Sequence, residues 1–241
     1  MYQREYEKKI RVGIVGAGSH TYRNLLPALH YLPVDLAAIC NRGEEKLSRT
    51  LREYRCAGYT EPKEMYEKED LDAVIMAVSP KKHPELACEA MEQHGLHVFM
   101  EKPAAMSVKG LDQMIEVSKK TGKHVVVGYK KAFMPVTEKA KDIIGCGKYP
   151  DMSSILAVYP LYLPEDGKKA LEDGTITEWL KNGCHPLSSM MEIGGQVQSV
   201  QALTGAGGFG AVHLKFLRMY SGRTNSDQMF TGFYKTVNSG I

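Results

Sequence analysis

No stretch of this chain approaches the roughly 20 consecutive apolar residues that a membrane-spanning helix needs. The N-terminal MYQREYEKKI alternates charges where a secretory leader would carry an apolar core. Closely spaced cysteine pairs are missing as well. Cys40, Cys56, Cys88, Cys146 and Cys184 are odd in number, far apart and never in C-x-x-C form, which argues against a disulfide framework and a zinc site and for reduced thiols. Nor is charge of one sign concentrated anywhere. The 31 Lys and Arg against 28 Asp and Glu leave a net charge of +3 spread along the chain, with no basic stripe for nucleic acid or anionic lipid. Repeats and low-complexity linkers are absent too. What remains, at 241 residues and 43% hydrophobic, is an ordinary globular composition, long enough for one large domain or two small ones. The expectation is a cytoplasmic protein with a small-molecule partner, no membrane and no nucleic acid.

Five near-continuous apolar runs punctuate the first half: IRVGIV (10–15), VDLAAIC (34–40), DAVIMAV (72–78), LHVFM (96–100) and HVVVGY (124–129). Runs of this kind fit parallel strands covered on both faces. Between them RNLLPALHYL, EEKLSRTLREY, PELACEAMEQHG and SVKGLDQMIEVSKKTG carry helical spacing, with Ser107 as an N-cap and Gly95 and Gly122 as C-terminal stops. Strict alternation predicts right-handed crossovers and an α/β fold, a doubly wound parallel sheet over residues 1–130. Beyond it the rhythm changes. A helix over 135–144, a strand candidate SSILAVYPLYL (153–163), a helical EWLKNGCHPLSSMMEIGG and the strand-like QVQSVQA, AVHLKFL and MFTGFYKTV predict a second, smaller α+β domain over 131–241. An open sheet of that size would pack on a partner subunit, so a homo-oligomer is expected.

The first strand runs into GIVGAGSHTYRN. Gly16 and Gly18 match the first two glycines of G-x-G-x-x-G, a tight turn and a close backbone approach to a pyrophosphate at a helix N-terminus, flanked by Ser19 and His20. The third glycine is lacking. Thr21 takes its place and is expected to hold the helix slightly away from the strand. The acidic residue that would end the second strand in an NAD-preferring site is lacking as well. Asn41 stands there, followed by Arg42, which removes a repulsion, supplies a cation for a 2′-phosphate and leans the cofactor, NAD(P), toward NADP. Glu44 and Glu45 pull the other way.

In HVFMEKPAAMS (97–107), Glu101-Lys102-Pro103 ends a strand where charge and proline cannot continue one. Lys102 then sits beyond the carboxyl end of a central strand, where doubly wound sheets bind ligands. Its ammonium suits orienting a hydroxyl or an incipient alkoxide. An ion pair with Glu101 closing a loop is the other reading.

GAGSH, AVSPKKHPELACEAMEQHGLHVFMEKPAAMS, VVVGYKKAF and GCHPLSSM together resemble the Gfo/Idh/MocA family of NAD(P)-dependent oxidoreductases, from residue 10 to about 217. The resemblance implies action on sugars, cyclitols and related polyols. It implies a cis Lys102-Pro103 peptide, with Lys102 reaching the nicotinamide ribose and the reacting hydroxyl in the cleft between the domains, and a cofactor-side place for Ser79 and His83. It also implies a second signature, D-x-G-x-H, of which KNGCH keeps Gly183 and His185 but puts Lys181 in the aspartate's place. His185 is the proton-transfer candidate. GYKKAF departs from the family's G-Y-N-R-R-F, keeping a cation at Lys131, and Tyr159 and Tyr162 face either the substrate pocket or the packing. The second domain is shorter than the family's. His30, His94, His97 and His124 are expected at solvent, and the methionines as core fillers. Three functions follow: a sugar or polyol dehydrogenase, a glycosidase using tightly held NAD, or a cofactor-binding sensor without turnover.

Overall fold

The computed structural model describes residue 6, residues 8–146, residue 148, and residues 155–158, 182–204 and 210–216. The chain divides into two compact units, Met1–Gly128 and Tyr129–Ile241.

In the first unit β1 (Ile10–Val15), β2 (Val34–Cys40), β3 (Ala57–Tyr59), β4 (Ala73–Met76), β5 (His97–Met100) and β6 (Val125–Val127) form one sheet in the order β3-β2-β1-β4-β5-β6. Every pairing is parallel. That order reverses direction between β1 and β4, the switch point of a doubly wound sheet. Helices α1 (Leu26–Leu29), α2 (Glu44–Glu53), α3 (Pro62–Lys68), α4 (His83–Glu92) and α5 (Val108–Thr121) connect the strands. Both faces are therefore covered, and Val12, Ile14, Ile39, Val74, Met76, Val98 and Met100 are buried. Ser107 caps α5, its side chain accepting from the Gly110 N–H at 3.2 Å. Gly122 (φ 69°) closes the same helix in the left-handed conformation that favours glycine.

Two elements escape the sequence pattern. β3 has only three residues, AGY, too few to show a period, and α3 gains its start from Pro62 rather than from an apolar stripe. In the turn after β1 Thr21 is fully buried, and its Oγ1 donates to the Gly16 carbonyl at 2.6 Å. Thr21 thereby ties the helix to the turn, and the helix opens with a π-helical turn over Thr21–Leu25.

The second unit holds α6 (Pro135–Gly145), α7 (Cys184–Gly194) and an antiparallel pair, β7 (Val197–Thr204) with β8 (Gly210–Phe216). Lys141 of α6 joins Glu192 of α7 at 2.6 Å, with both side chains largely buried. The expected strand at 153–163 is not borne out where it is described: Ile155–Val158 lie in no ladder, and Leu156 and Val158 are exposed. The rest of that segment, and MFTGFYKTV, lie outside the described residues. No helix among the described residues is long and apolar enough to cross a membrane.

Candidate functional site

Strand register builds the site. Cys40 pairs with Tyr59 and Val15, Val15 with Met76, Met76 with Met100, and Met100 with Val127, so the strands end in one row. The next residues, Asn41, Gly16, Ala77, Glu101 and Gly128, form the carboxyl edge. Each donates its backbone N–H to the last or nearly last carbonyl of the neighbouring strand, at 2.8–2.9 Å. Glycines and the residues before Lys102 thus meet along one edge although 85 residues separate Gly16 from Glu101 in sequence.

Gly16 has φ +103°, and a Cβ there would run into the Ala77 carbonyl oxygen. Only glycine fits that conformation and that contact. Gly18 is different: a Cβ built on it meets nothing within 4 Å. Space lies open over the loop at the start of a helix, where backbone N–H groups favour an anion. The structure fits a pyrophosphate at this place by that vacancy, not by the motif alone. Ser19 stands at the rim, its Oγ bonded to the Arg23 guanidinium at 2.5 Å.

Asn41 proves to be an internal brace. Its Oδ1 accepts the Ala17 N–H at 3.1 Å and its Nδ2 donates to the Gly43 carbonyl at 2.9 Å, locking the glycine loop to the turn after β2. Arg42 beside it is exposed. Cys40, one residue earlier, is no nucleophile: burial, helped by the nearby Glu61 and Glu64 carboxylates, pushes its thiol up to about 12.

At the other end of the row the Lys102-Pro103 peptide is cis, as the resemblance implies, and Lys102 is half-buried. Its neighbour Glu101, with 17% of its side chain exposed, meets His20 Nε2 at 2.8 Å. His20 Nδ1 lies 3.0 Å from Asn24 Nδ2. Because the Asn24 amide nitrogen can only donate, Nδ1 accepts, and Nε2 carries the proton toward Glu101. The sequence pattern overlooks Asn24; its signal is the i, i+4 spacing from His20 on a helix.

His83 is fully buried, and its Nδ1 lies 3.1 Å from the Pro103 carbonyl. A carbonyl only accepts, so Nδ1 carries the proton. Burial lowers its pKa, partly offset by the Pro103 and Ala104 carbonyls, the Glu101 carboxylate and the Val78 carbonyl. Ser79 is exposed in the turn before α4, its carbonyl accepting from the Lys82 N–H at 2.8 Å. His94 and His97 do not face solvent as expected. His94 Nε2 is buried and the ring lies 5.2 Å from that of Tyr66, while the partly buried His97 stacks on His124 at 5.2 Å.

In the second unit His185 occupies the first turn of α7, 7% exposed, its carbonyl accepting from Ser188 and Ser189 hydroxyls at 2.9 and 3.2 Å. Lys131 is half-buried, and its carbonyl accepts from Thr137 at 2.7 Å. Tyr159, Tyr162 and Lys181 lie outside the described residues.

The sheet order, the open glycine loop and the cis Lys102-Pro103 turn coincide with a match to the family model of the Gfo/Idh/MocA oxidoreductases, NAD-binding Rossmann fold, over residues 10–129. The chain belongs to the Gfo/Idh/MocA family. Among curated proteins, the Gfo/Idh/MocA chain is 26% identical to glycosyl hydrolase family 109 protein 2 of Bacteroides fragilis over 159 residues, 62% of this chain and 37% of that protein. It is 25% identical to a glycosyl hydrolase family 109 protein of Saccharopolyspora erythraea over 211 residues, 78% of this chain and 46% of that one. The chain thus spans less than half the length of these curated relatives. Among solved structures, the WlbA dehydrogenase of Bordetella pertussis, in complex with NADH and UDP-GlcNAcA, superposes with a TM-score of 0.70 at 20% identity, covering 88% of this chain and 68% of that one.

Proposed function

We propose that this chain serves an NAD(P)-dependent oxidoreductase that moves a hydride between the cofactor and a carbinol or carbonyl carbon of a sugar-like substrate. The observation that carries the reading is the single carboxyl edge on which the open space over Gly18 and the Lys102 turn stand, two strands apart. The Gly18 turn and the helix start that follows it would hold the pyrophosphate, with the Gly16 and Ala17 N–H groups spent on the Cys40 carbonyl and Asn41 Oδ1 to brace the loop. When bound, the nicotinamide supplies the hydride acceptor or donor. Lys102 orients the reacting hydroxyl by donating to its oxygen, and His185 of the second unit is the candidate for taking or returning a substrate proton. The neutral Asn41 and the exposed Arg42 support a lean toward NADP. The WlbA likeness supports a sugar nucleotide among the substrates to try.

A second reading is an NAD-dependent glycosidase, favoured by the names of the two curated relatives. A cofactor-binding sensor without turnover is favoured by Lys181 in the aspartate's place.

The test is turnover with NAD(P) over sugar nucleotides, polyols and aryl glycosides, comparing wild type with Lys102→Ala. Loss of about 10²-fold or more in turnover, with dinucleotide affinity nearly unchanged, is the expected result. Dinucleotide binding with no turnover on any class would select the sensor. A fully active Lys102→Ala would overturn the role given to Lys102.

A further inference from the structure

The hydrogen bond between His20 and Glu101 joins two ends of the carboxyl edge that are not neighbours. His20 stands at the start of the helix that follows β1, and Glu101 follows β5 directly. In the sheet order β4 lies between β1 and β5, so the 2.8 Å contact reaches across the whole end of β4. Strands are spaced about 4.8 Å apart, which sets about 10 Å between β1 and β5 for the two side chains to bridge. The span also straddles the gap between β1 and β4, where the winding of the sheet reverses.

Three features make this a built element rather than a chance surface pair. Asn24 holds Nδ1 of the imidazole at 3.0 Å, which fixes the tautomer with Nε2–H toward the carboxylate. Glu101 is anchored through its backbone N–H to the Met76 carbonyl at 2.9 Å, and only 17% of its side chain is exposed. Its Oε1 lies within 3.3 Å of where a Cβ on Gly128 would stand, so the carboxylate is seated at the end of β6 as well. The imidazole is the more exposed partner.

We infer that His20 and Glu101 form a strap that closes over the part of the dinucleotide running from the glycine loop toward Lys102, and so retains the cofactor in its site. The inference rests on the reading of this edge as a dinucleotide site. A ligand laid from Gly16–Gly18 toward the Lys102 turn crosses the end of β4, the place that the bridge spans. To leave, it must wait for the His20–Glu101 bond to open. Breaking the strap therefore speeds dissociation more than it slows association, because the glycine loop that first receives the pyrophosphate is untouched.

The test is the dissociation rate of whichever of NADH and NADPH binds more tightly, followed by loss of nicotinamide fluorescence after mixing the loaded chain with excess oxidised dinucleotide. His20→Ala is expected to release it at least about tenfold faster, the factor carried by one hydrogen bond to a charged group. His20→Gln, whose amide nitrogen reaches about as far as Nε2 and can donate to Glu101, is expected to release it close to the wild-type rate. Thermal unfolding without dinucleotide checks that both variants fold. Equal release from wild type and His20→Ala, or equally fast release from both variants, overturns the strap while leaving the dinucleotide site standing. A wild-type chain that binds neither nucleotide overturns the strap and the site together.

Discussion

His83 donates from Nδ1 to the Pro103 carbonyl at 3.1 Å, so a fully buried imidazole on α4 holds the turn that carries Lys102. Burial keeps this ring's pKa below its ordinary 6.5. In the unfolded chain the ring titrates near 6.5, so below that pH the unfolded state binds more protons than the folded one, and stability falls as the pH drops. Above 6.5 both states are neutral and the contribution is level.

His83→Asn tests this directly. Asn keeps a donor near the Nδ1 position and cannot titrate. Melting temperatures taken from pH 8 to pH 5 are expected to fall less steeply on the acid side for His83→Asn than for wild type. His83→Phe leaves the Pro103 carbonyl without its donor and is expected to cost about 1–3 kcal/mol at every pH. Parallel melting curves for wild type and His83→Asn would count against the assignment.

The two glycines of the loop separate stability from binding. Gly16→Ala puts a side chain at φ +103° against the Ala77 carbonyl and is expected to lower stability by about 1–3 kcal/mol or more. The Cβ of Gly18→Asp meets no neighbour, and a carboxylate at a helix start is mildly favourable. Its fold should therefore survive while dinucleotide binding is lost to crowding and like charge. Urea titration and nicotinamide fluorescence read the two effects separately.

The proposed lean toward NADP rests on Asn41 and Arg42. Arg42→Ala is expected to weaken NADPH binding about tenfold, with little change for NADH, if the guanidinium meets the 2′-phosphate. Asn41→Asp keeps the acceptor for the Ala17 N–H, loses the donor to Gly43 and adds a charge, which should shift preference toward NADH. A wild type that clearly prefers NADH would remove the role given to Arg42.

Lys141 and Glu192 form an ion pair at 2.6 Å with side chains only 10% and 15% exposed. Burial pulls the Lys141 pKa down, but the Glu192 and Glu138 carboxylates more than offset this and hold it above its ordinary value. Glu192→Gln leaves the ammonium facing an amide beside the half-exposed Glu138 carboxylate at 3.1 Å and is expected to cost about 1–3 kcal/mol, whereas Lys141→Met with Glu192→Leu should recover most of that loss. Denaturant unfolding of the single and double variants measures the coupling.

The sequence by itself determined the alternation of strand and helix, because continuous apolar runs and helical spacing report burial locally. It also determined the Gly16 turn, the Ser107 cap, the Gly122 stop and the end of β5 at Glu-Lys-Pro, since each follows from what that residue's backbone or side chain can do locally. Only the tertiary structure decided what those residues touch. A three-residue strand such as β3 has no period to read, and its place is set by pairing with β2. Thr21 looked like a defect in the loop until burial let its hydroxyl find the Gly16 carbonyl. Asn41 and His83 each satisfy a backbone group, an N–H and a carbonyl that require partners once they leave water, and no local signal in the sequence announces either contact. The His20–Glu101 bond spans 81 residues and one intervening strand, and no local signal encodes it: strand order and register alone bring the two side chains to the same edge.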